Sequence, residues 1–70
     1  MNKEFELNGH EYVQLDKLLK LLALVATGGE AHARVSNREV MVNGAVEIQK
    51  RKKIRVGDKV LFQDTAIIIK

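Results

Sequence analysis

Leu15, Leu18, Leu19 and Leu22 fall at i, i+3, i+4 and i+7, which puts all four on one face of an amphipathic helix. In a chain of 70 residues that stripe has to be the centre of the only core. A chain of this size buries only ~60% of the surface its unfolded form exposes. It has no cysteine, so neither a disulfide nor a thiolate-held metal props up the fold. Cysteine-ligated zinc, iron–sulfur clusters and thiol catalysis are excluded on the same ground. The leucine face is needed inside, which sets aside a helix lying on a membrane, for which Lys17 and Lys20 are a thin polar face in any case. The longest apolar run, Leu21 to Ala26, has six residues against the ~20 that span a bilayer. No membrane partner is expected, and residues 1–70 read as a single domain. Met1-Asn2-Lys3-Glu4 leads into an acidic, alternating stretch rather than a secretory signal. With the absence of cysteine, this points to the cytoplasm.

Around the stripe the periodicity is that of strands. Phe5 and Leu7 alternate with Glu4 and Glu6, a period of two that predicts a strand over residues 3–7. Asn8-Gly9 is a strong hairpin signal, because both residues accept positive φ, and Tyr12-Val13 is expected to return as a second strand. The leucine helix begins after Gln14 and loosens around Ala23 to Ala26. Thr27-Gly28-Gly29-Glu30 has the Thr-x-x-Glu form of a capping box, which predicts a second helix over 28–37 with Thr27 as its N-cap. Ala31 and Val35 face inward, and Asn37 is expected to take the left-handed conformation that ends the helix. Val40-Met41-Val42, Asn43-Gly44 and Ala45 to Ile48 read as a hairpin. An exposed basic connection follows, Gln49 to Lys53, with Ile54 and Val56 to anchor it. Gly57-Asp58 is a turn, Val60 to Phe62 a strand and Asp64-Thr65 a turn. Ala66 to Ile69 is a buried final strand expected to pair with residues 3–7 and bring the termini together. The class is α+β: two short helices packed on a small, mostly antiparallel sheet, in the order β-α-α-β-β-β-β.

The formal charge of +3 hides a split. Residues 1–47 hold five Lys/Arg against seven Asp/Glu, a net of −2, while residues 48–70 hold seven against two, a net of +5. Six of those seven cations lie between Lys50 and Lys59. Such an asymmetry makes a local positive potential. A solvated loop that only keeps the protein soluble is the competing reading.

Three segments in their order resemble a known family: Leu15-Asp16-Lys17-Leu18-Leu19, then Thr27-Gly28-Gly29-Glu30-Ala31, then Val40 to Gly44 with the later Gly57-Asp58-Lys59-Val60. They look like the RNA-binding domain named after ribosomal protein S-four, the αL-type motif. Within it they are similar to the small stand-alone bacterial YbcJ-like group, which also carries Gly-Gly-Glu-Ala, Val-Asn-Gly and a basic run before a Gly-Asp turn. The likeness covers residues 14–62. The sequence departs from the family pattern in three places. Gln14 stands where an arginine often precedes Leu-Asp, Gly28 stands where larger members place an arginine after the cap, and Arg38 or Glu39 stands where a glycine usually ends the second helix.

The resemblance implies a non-catalytic RNA-binding protein whose two helices and following hairpin form one RNA-facing surface. The residues fit that chemistry. A helix start offers free N–H groups and a positive dipole end, and Gly28 and Gly29 let a phosphate approach the backbone. Lys50, Arg51, Lys52, Lys53 and Arg55 supply the attraction, lysine as a point charge and arginine as a flat fork. In a strand, Arg51 and Lys53 would share one side, and Lys50 and Lys52 the other. Lys17, Lys20, His32 and Arg34 are further candidates on the helices. Phe5 and Phe62 read as core, so a stacking platform for single-stranded bases is poorly supported. The expected ligand is structured RNA, ribosomal or transfer RNA among the candidates, read by shape and phosphate, with the protein a monomer by default.

Two other classes compete. A protein-interaction module meeting an acidic partner fits the composition. A β-grasp carrier shares the opening hairpin and leucine helix, but its chemistry needs a terminal Gly-Gly, and this chain reads Ile68-Ile69-Lys70 there. An enzyme is not expected. Ser36 has no motif around it, and His10 and His32 lack a third metal ligand. Gly44 and Gly57 make no phosphate loop. No cofactor, metal or small-molecule substrate is expected.

Overall fold

The structure is a computed structural model describing residues 1–70. Helix α1 (Leu15–Leu21) buries Leu15, Leu18 and Leu19 completely. Helix α2 (Gly28–Ser36) crosses it and buries Ala31 and Val35. Both close over one face of a sheet made of β1 (Asn2–Phe5), β3 (Val40–Val42), β4 (Ala45–Val46), β6 (Lys59–Phe62) and β7 (Thr65–Ile69), in the spatial order β1-β7-β6-β3-β4. Two further short strands, β2 (Val13–Gln14) and β5 (Lys53–Ile54), pair as a separate antiparallel ribbon. Strand alternation sends Val40, Val42, Val60, Phe62, Ile67 and Ile69 into the core with the leucines. The α+β class and the five-stranded sheet are as expected, with every pairing antiparallel except β1 with β7.

That exception corrects one expectation. Because β1 runs parallel to β7, in register Asn2↔Ala66 to Phe5↔Ile69, the termini lie at opposite ends of the pair. The amino group of Met1 donates to the Asp64 carbonyl. At the far end the Lys70 N–H donates to the Phe5 carbonyl. The Lys70 ammonium is 2.8 Å from the Glu4 carboxylate, whose hydrogen bond and charge raise the lysine pKa above its ordinary value.

Asn8 and Gly9 do form a turn with both φ positive, at +53° and +89°, closed by the His10 N–H on the Leu7 carbonyl at 3.0 Å. It joins no hairpin, however. Val13 pairs with Ile54 instead of returning along β1, and β1 stays at the sheet edge with β7 as its one neighbour. The other Asn-Gly behaves as expected: Asn43 and Gly44, both at positive φ, connect β3 to β4 with Val42 opposite Ala45. The β6–β7 turn sits at Gln63-Asp64, one residue earlier than predicted. Ile54 is fully buried, but Val56 is 66% exposed. It stands in the turn from Arg55 to Asp58 and anchors nothing.

Both helices end the same way. Ala23 sits at φ +58° and Arg38 at φ +62°. After α1, the Ala23 N–H donates to the Lys20 carbonyl and the Leu24 N–H to the Leu19 carbonyl, each at 3.0 Å. After α2, the Arg38 N–H donates to the Val35 carbonyl and the Glu39 N–H to the Arg34 carbonyl, each at 3.1 Å. These are Schellman closures with a non-glycine residue in the left-handed position. Asn37, expected there, is at φ −80°. The strain falls one residue later, on Arg38, because the closing bonds need the left-handed residue directly after the cap.

A left-handed residue bearing a Cβ costs about 1 kcal/mol relative to glycine. Ala23→Gly and Arg38→Gly should each raise stability by about that much. For a domain of this size the melting temperature should rise by about 4–8 °C per substitution, as read by circular dichroism.

Candidate nucleic-acid interface

The basic connection is fastened by its main chain. Gln49 to Lys52 is a turn, closed by the Lys52 N–H on the Gln49 carbonyl at 3.1 Å. From it the carbonyls of Lys50 and Lys52 accept the N–H groups of Asp16 and Leu15, each at 2.9 Å. Those are two of the donors that every helix start leaves without an intrahelical partner, and the N-cap residue Gln14 offers no side-chain bond to them. The expected strand alternation over residues 50–53 is therefore absent: Lys50 and Arg51 occupy a turn, and only Lys53 enters β5. With the carbonyls turned to the helix, the side chains of Lys50, Arg51, Lys52 and Lys53 are all exposed. None of them, nor Arg55, forms a salt bridge.

The β2–β5 ribbon orders the next part. Val13 faces Ile54 and Gln14 faces Lys53. Val13 and Ile54 point into the core, so Gln14 and Lys53 point out. By the same alternation Tyr12 and Arg55 follow on the outer side. The Lys53 ammonium lies 5.0 Å from the centre of the Tyr12 ring, and the Arg55 guanidinium carbon lies 5.7 Å from it. Both are within the range at which a cation feels a ring's quadrupole.

Arg55 is positioned by residues distant in sequence. Its N–H donates to Asp58 Oδ2 at 2.7 Å. Asp58 Oδ1 accepts from Asn43 Nδ2 at 3.0 Å, and Asn43 Oδ1 accepts the Lys59 N–H at 2.9 Å. The Val-Asn-Gly hairpin and the Gly-Asp turn thus form one hydrogen-bonded bracket.

At the start of α2, Thr27 Oγ1 accepts the Glu30 N–H at 3.1 Å, as the capping pattern predicts. Glu30 reaches back to the Ala26 N–H at 2.9 Å, one residue earlier than the usual box. Helix geometry leaves the N–H groups of Gly28 and Gly29 without an acceptor. A Cβ at Gly28 would meet nothing within 4 Å, and one at Gly29 only Thr27 Oγ1 at 3.9 Å. No crowding within the protein calls for glycine at either place.

Lys17 connects the two regions. It lines one depression with His10, Tyr12 and Gln14, and another with Asp16, Lys20 and Gly28. A strip therefore runs from Arg55 and Lys53 past Tyr12 and Lys17 to Lys20 and the open start of α2. Lys50 and Lys52 lie at its side, over the start of α1.

The remaining candidates on the helices are engaged elsewhere. His32 Nε2 lies 3.0 Å from Asp16 Oδ2, and Asp16 Oδ1 accepts the Lys17 N–H at 2.8 Å. Asp16 is 9% exposed, so this pair ties α1 to α2 at their crossing. Arg34 lies between Glu39 at 3.1 Å and Glu30 at 3.6 Å, which cancels much of its charge. Two features beside the cations are not apparent from local sequence: Tyr12 lies under Lys53 and Arg55, and Asn43 joins its turn to that of Asp58. The one local sign of the first is the alternation of Tyr12 and Gln14 about Val13.

This arrangement, two helices and a hairpin on a mixed five-stranded sheet, is that of a known domain. The chain belongs to the S4 domain family, whose sequence profile matches residues 5–70. Among its relatives is YbcJ of Escherichia coli (strain K12), provisionally named an RNA-binding protein, 41% identical over 58 residues that make up 83% of each chain. YbcJ of Shigella flexneri, named as uncharacterized, matches to the same extent. The solution structure of YbcJ from E. coli, described as revealing an αL motif involved in RNA binding, superposes with a TM-score of 0.68. That match is 36% identical and covers 93% of this chain and 85% of that one.

Asn43→Ala should cost about 1–2 kcal/mol. It removes two side-chain hydrogen bonds and places alanine at a positive φ. Urea denaturation would show the loss, and an unchanged midpoint would mean that the bracket contributes nothing.

Proposed function

We propose that this protein binds structured RNA, without catalysis, through phosphate contacts along the strip from Arg55 to Gly28. Lys50, Arg51, Lys52, Lys53 and Arg55 supply attraction, Lys17 and Lys20 extend it, and the N–H groups of Gly28 and Gly29 take a phosphate oxygen at a fixed place. His32 acts through Asp16 by holding the helices together, and Arg34 contributes least. The observation that carries the reading is that Lys17, Lys20, Lys50, Arg51, Lys52, Lys53 and Arg55 are all exposed and none is paired to a carboxylate. The family and the names of its relatives support RNA as the polyanion. The protein acts as one domain over residues 1–70 and as a monomer, and a cytoplasmic location goes with such a ligand. No helix is long and apolar enough to cross a membrane. The β-grasp alternative has no support, since the profile that matches residues 5–70 is that of the S4 domain.

If four or five cations meet phosphates, log affinity should fall with log salt at a slope of roughly −3 to −4. Reversing Lys50, Arg51, Lys52 and Lys53 together to glutamate should abolish binding in a titration with structured RNA. The fold should survive, because the capping groups are main-chain carbonyls and the added acids favour the start of α1. Unchanged affinity, or capture of an acidic protein that persists after nuclease treatment, would return the site to a protein-interaction module.

Gly28→Ala separates structure from function by sign. With open space for the Cβ, the variant should gain about 0.5 kcal/mol from the lower entropy of its unfolded chain. The same methyl group should weaken RNA binding by obstructing a close phosphate. A parallel rise in stability and affinity would remove Gly28 from the site.

A further inference from the structure

We propose that the outer face of the β2–β5 ribbon is a subsite for one unpaired nucleotide of the bound RNA, with its base stacked on Tyr12. The inference rests on the RNA-binding reading above and deepens it.

Tyr12 is the aromatic residue that the fold leaves outside. Phe62 is buried at 2% exposure and Phe5 packs against the core, while Tyr12 is 37% exposed. Its place on the surface is set by the register of the ribbon. Val13 and Ile54 take the inner positions, which puts Tyr12, Gln14, Lys53 and Arg55 on the outer face together. The four side chains supply what a nucleotide needs: a flat apolar ring, an amide with a donor and an acceptor, and two cations. Both cations lie over the ring, at 5.0 Å and 5.7 Å from its centre, so an incoming base takes the ring face as they swing from it to the flanking phosphates.

The ring also stands between two depressions. One is polar, with His10, Glu11, Gln14 and Lys17. The other is mixed, with Phe5, Leu7 and Leu21 beside Glu6 and Asn8. A base entering beside Tyr12 gains apolar contact from the ring while its flanking phosphates lie within reach of Lys53, Arg55 and Lys17. A phosphate grip alone has no use for an exposed aromatic at the centre of the cations. Lysine and arginine on a polar surface would serve it equally.

One ring makes one platform, so the subsite does not accommodate a single-stranded run, in which successive bases stack on successive aromatics. It suits a bulged or junction base beside a helical stem whose phosphates follow the rest of the strip. Unstacked bases of this kind are what proteins read most readily on folded RNA.

The test uses two RNA hairpins that differ in one feature, a fully paired stem and the same stem with one unpaired fluorescent adenine analogue. The whole protein should bind the bulged hairpin ~10-fold more tightly, the scale of one base–aromatic stack, and should quench its fluorescence. Tyr12→Phe should keep both effects. Tyr12→Leu keeps the bulk but not the stacking face, and should bind the two hairpins equally. Thermal denaturation of each variant confirms the fold. Equal binding of the two hairpins by the natural protein, or a preference that survives Tyr12→Leu, overturns the subsite while leaving the phosphate grip in place. Binding to neither hairpin overturns the RNA-binding reading itself.

Discussion

Two main-chain hydrogen bonds hold the functional surface together, from the N–H groups of Leu15 and Asp16 to the carbonyls of Lys52 and Lys50. They solve a local problem of α1, whose cap residue provides no side-chain acceptor. In solving it they pin the most basic stretch of the chain across the start of that helix. Because the bonds use only backbone, the side chains of Lys50, Arg51 and Lys52 are left exposed and without ion pairs. Cations crowded near a helix start are unfavourable for the fold, since they meet the positive end of the dipole. The same placement adds the dipole and the ammonium groups into one positive field. The fold gives up some stability there, and the surface gains attraction for an anion.

Asp16 shows how that field is kept open. It is the acidic residue at the start of α1, where it favours the dipole, and it lies beside Lys17 and Lys20. An unconstrained carboxylate there would compete with phosphate for the lysines. Instead one oxygen is occupied by the Lys17 N–H and the other faces His32. The carboxylate stabilises the helix start and the crossing of α1 with α2, while both ammonium groups remain unpaired.

Much of this was legible in the sequence wherever the cause is local. The leucine spacing, the Thr27–Glu30 cap and the Asn43-Gly44 turn depend on residues within a few positions of one another, and all three stand as read. The misreadings concern the choice of distant partners. Asn8-Gly9 makes the turn its chemistry dictates, but the chain beyond it pairs with a segment more than forty positions away, where Val13 meets Ile54 over the core. That pairing brings Tyr12 out beside Lys53 and Arg55. Val56 resembles an anchor by residue type alone, and its turn geometry turned it out. Arg34 is held from two sides: Glu30 stands four residues before it, at the helical spacing that the sequence shows, whereas Glu39, five residues ahead, reaches it only once the chain has turned at Arg38.

The surface combines parts of different stiffness, and the difference assigns their roles. Lysine side chains are long and rotate freely, so they attract a polyanion without selecting one geometry. The N–H groups of Gly28 and Gly29 are fixed by the helix they begin. Tyr12 and Arg55 are fixed by the ribbon register and by the Asn43–Asp58 bracket. In the proposed reading, discrimination among RNA shapes falls to these elements, whose backbone holds a set spacing whatever the ligand. Lys17, bordering both the ribbon and the start of α2, joins the two without constraining either. In the proposed reading, a mobile cation between two rigid contacts would let one phosphate backbone engage both ends of the strip.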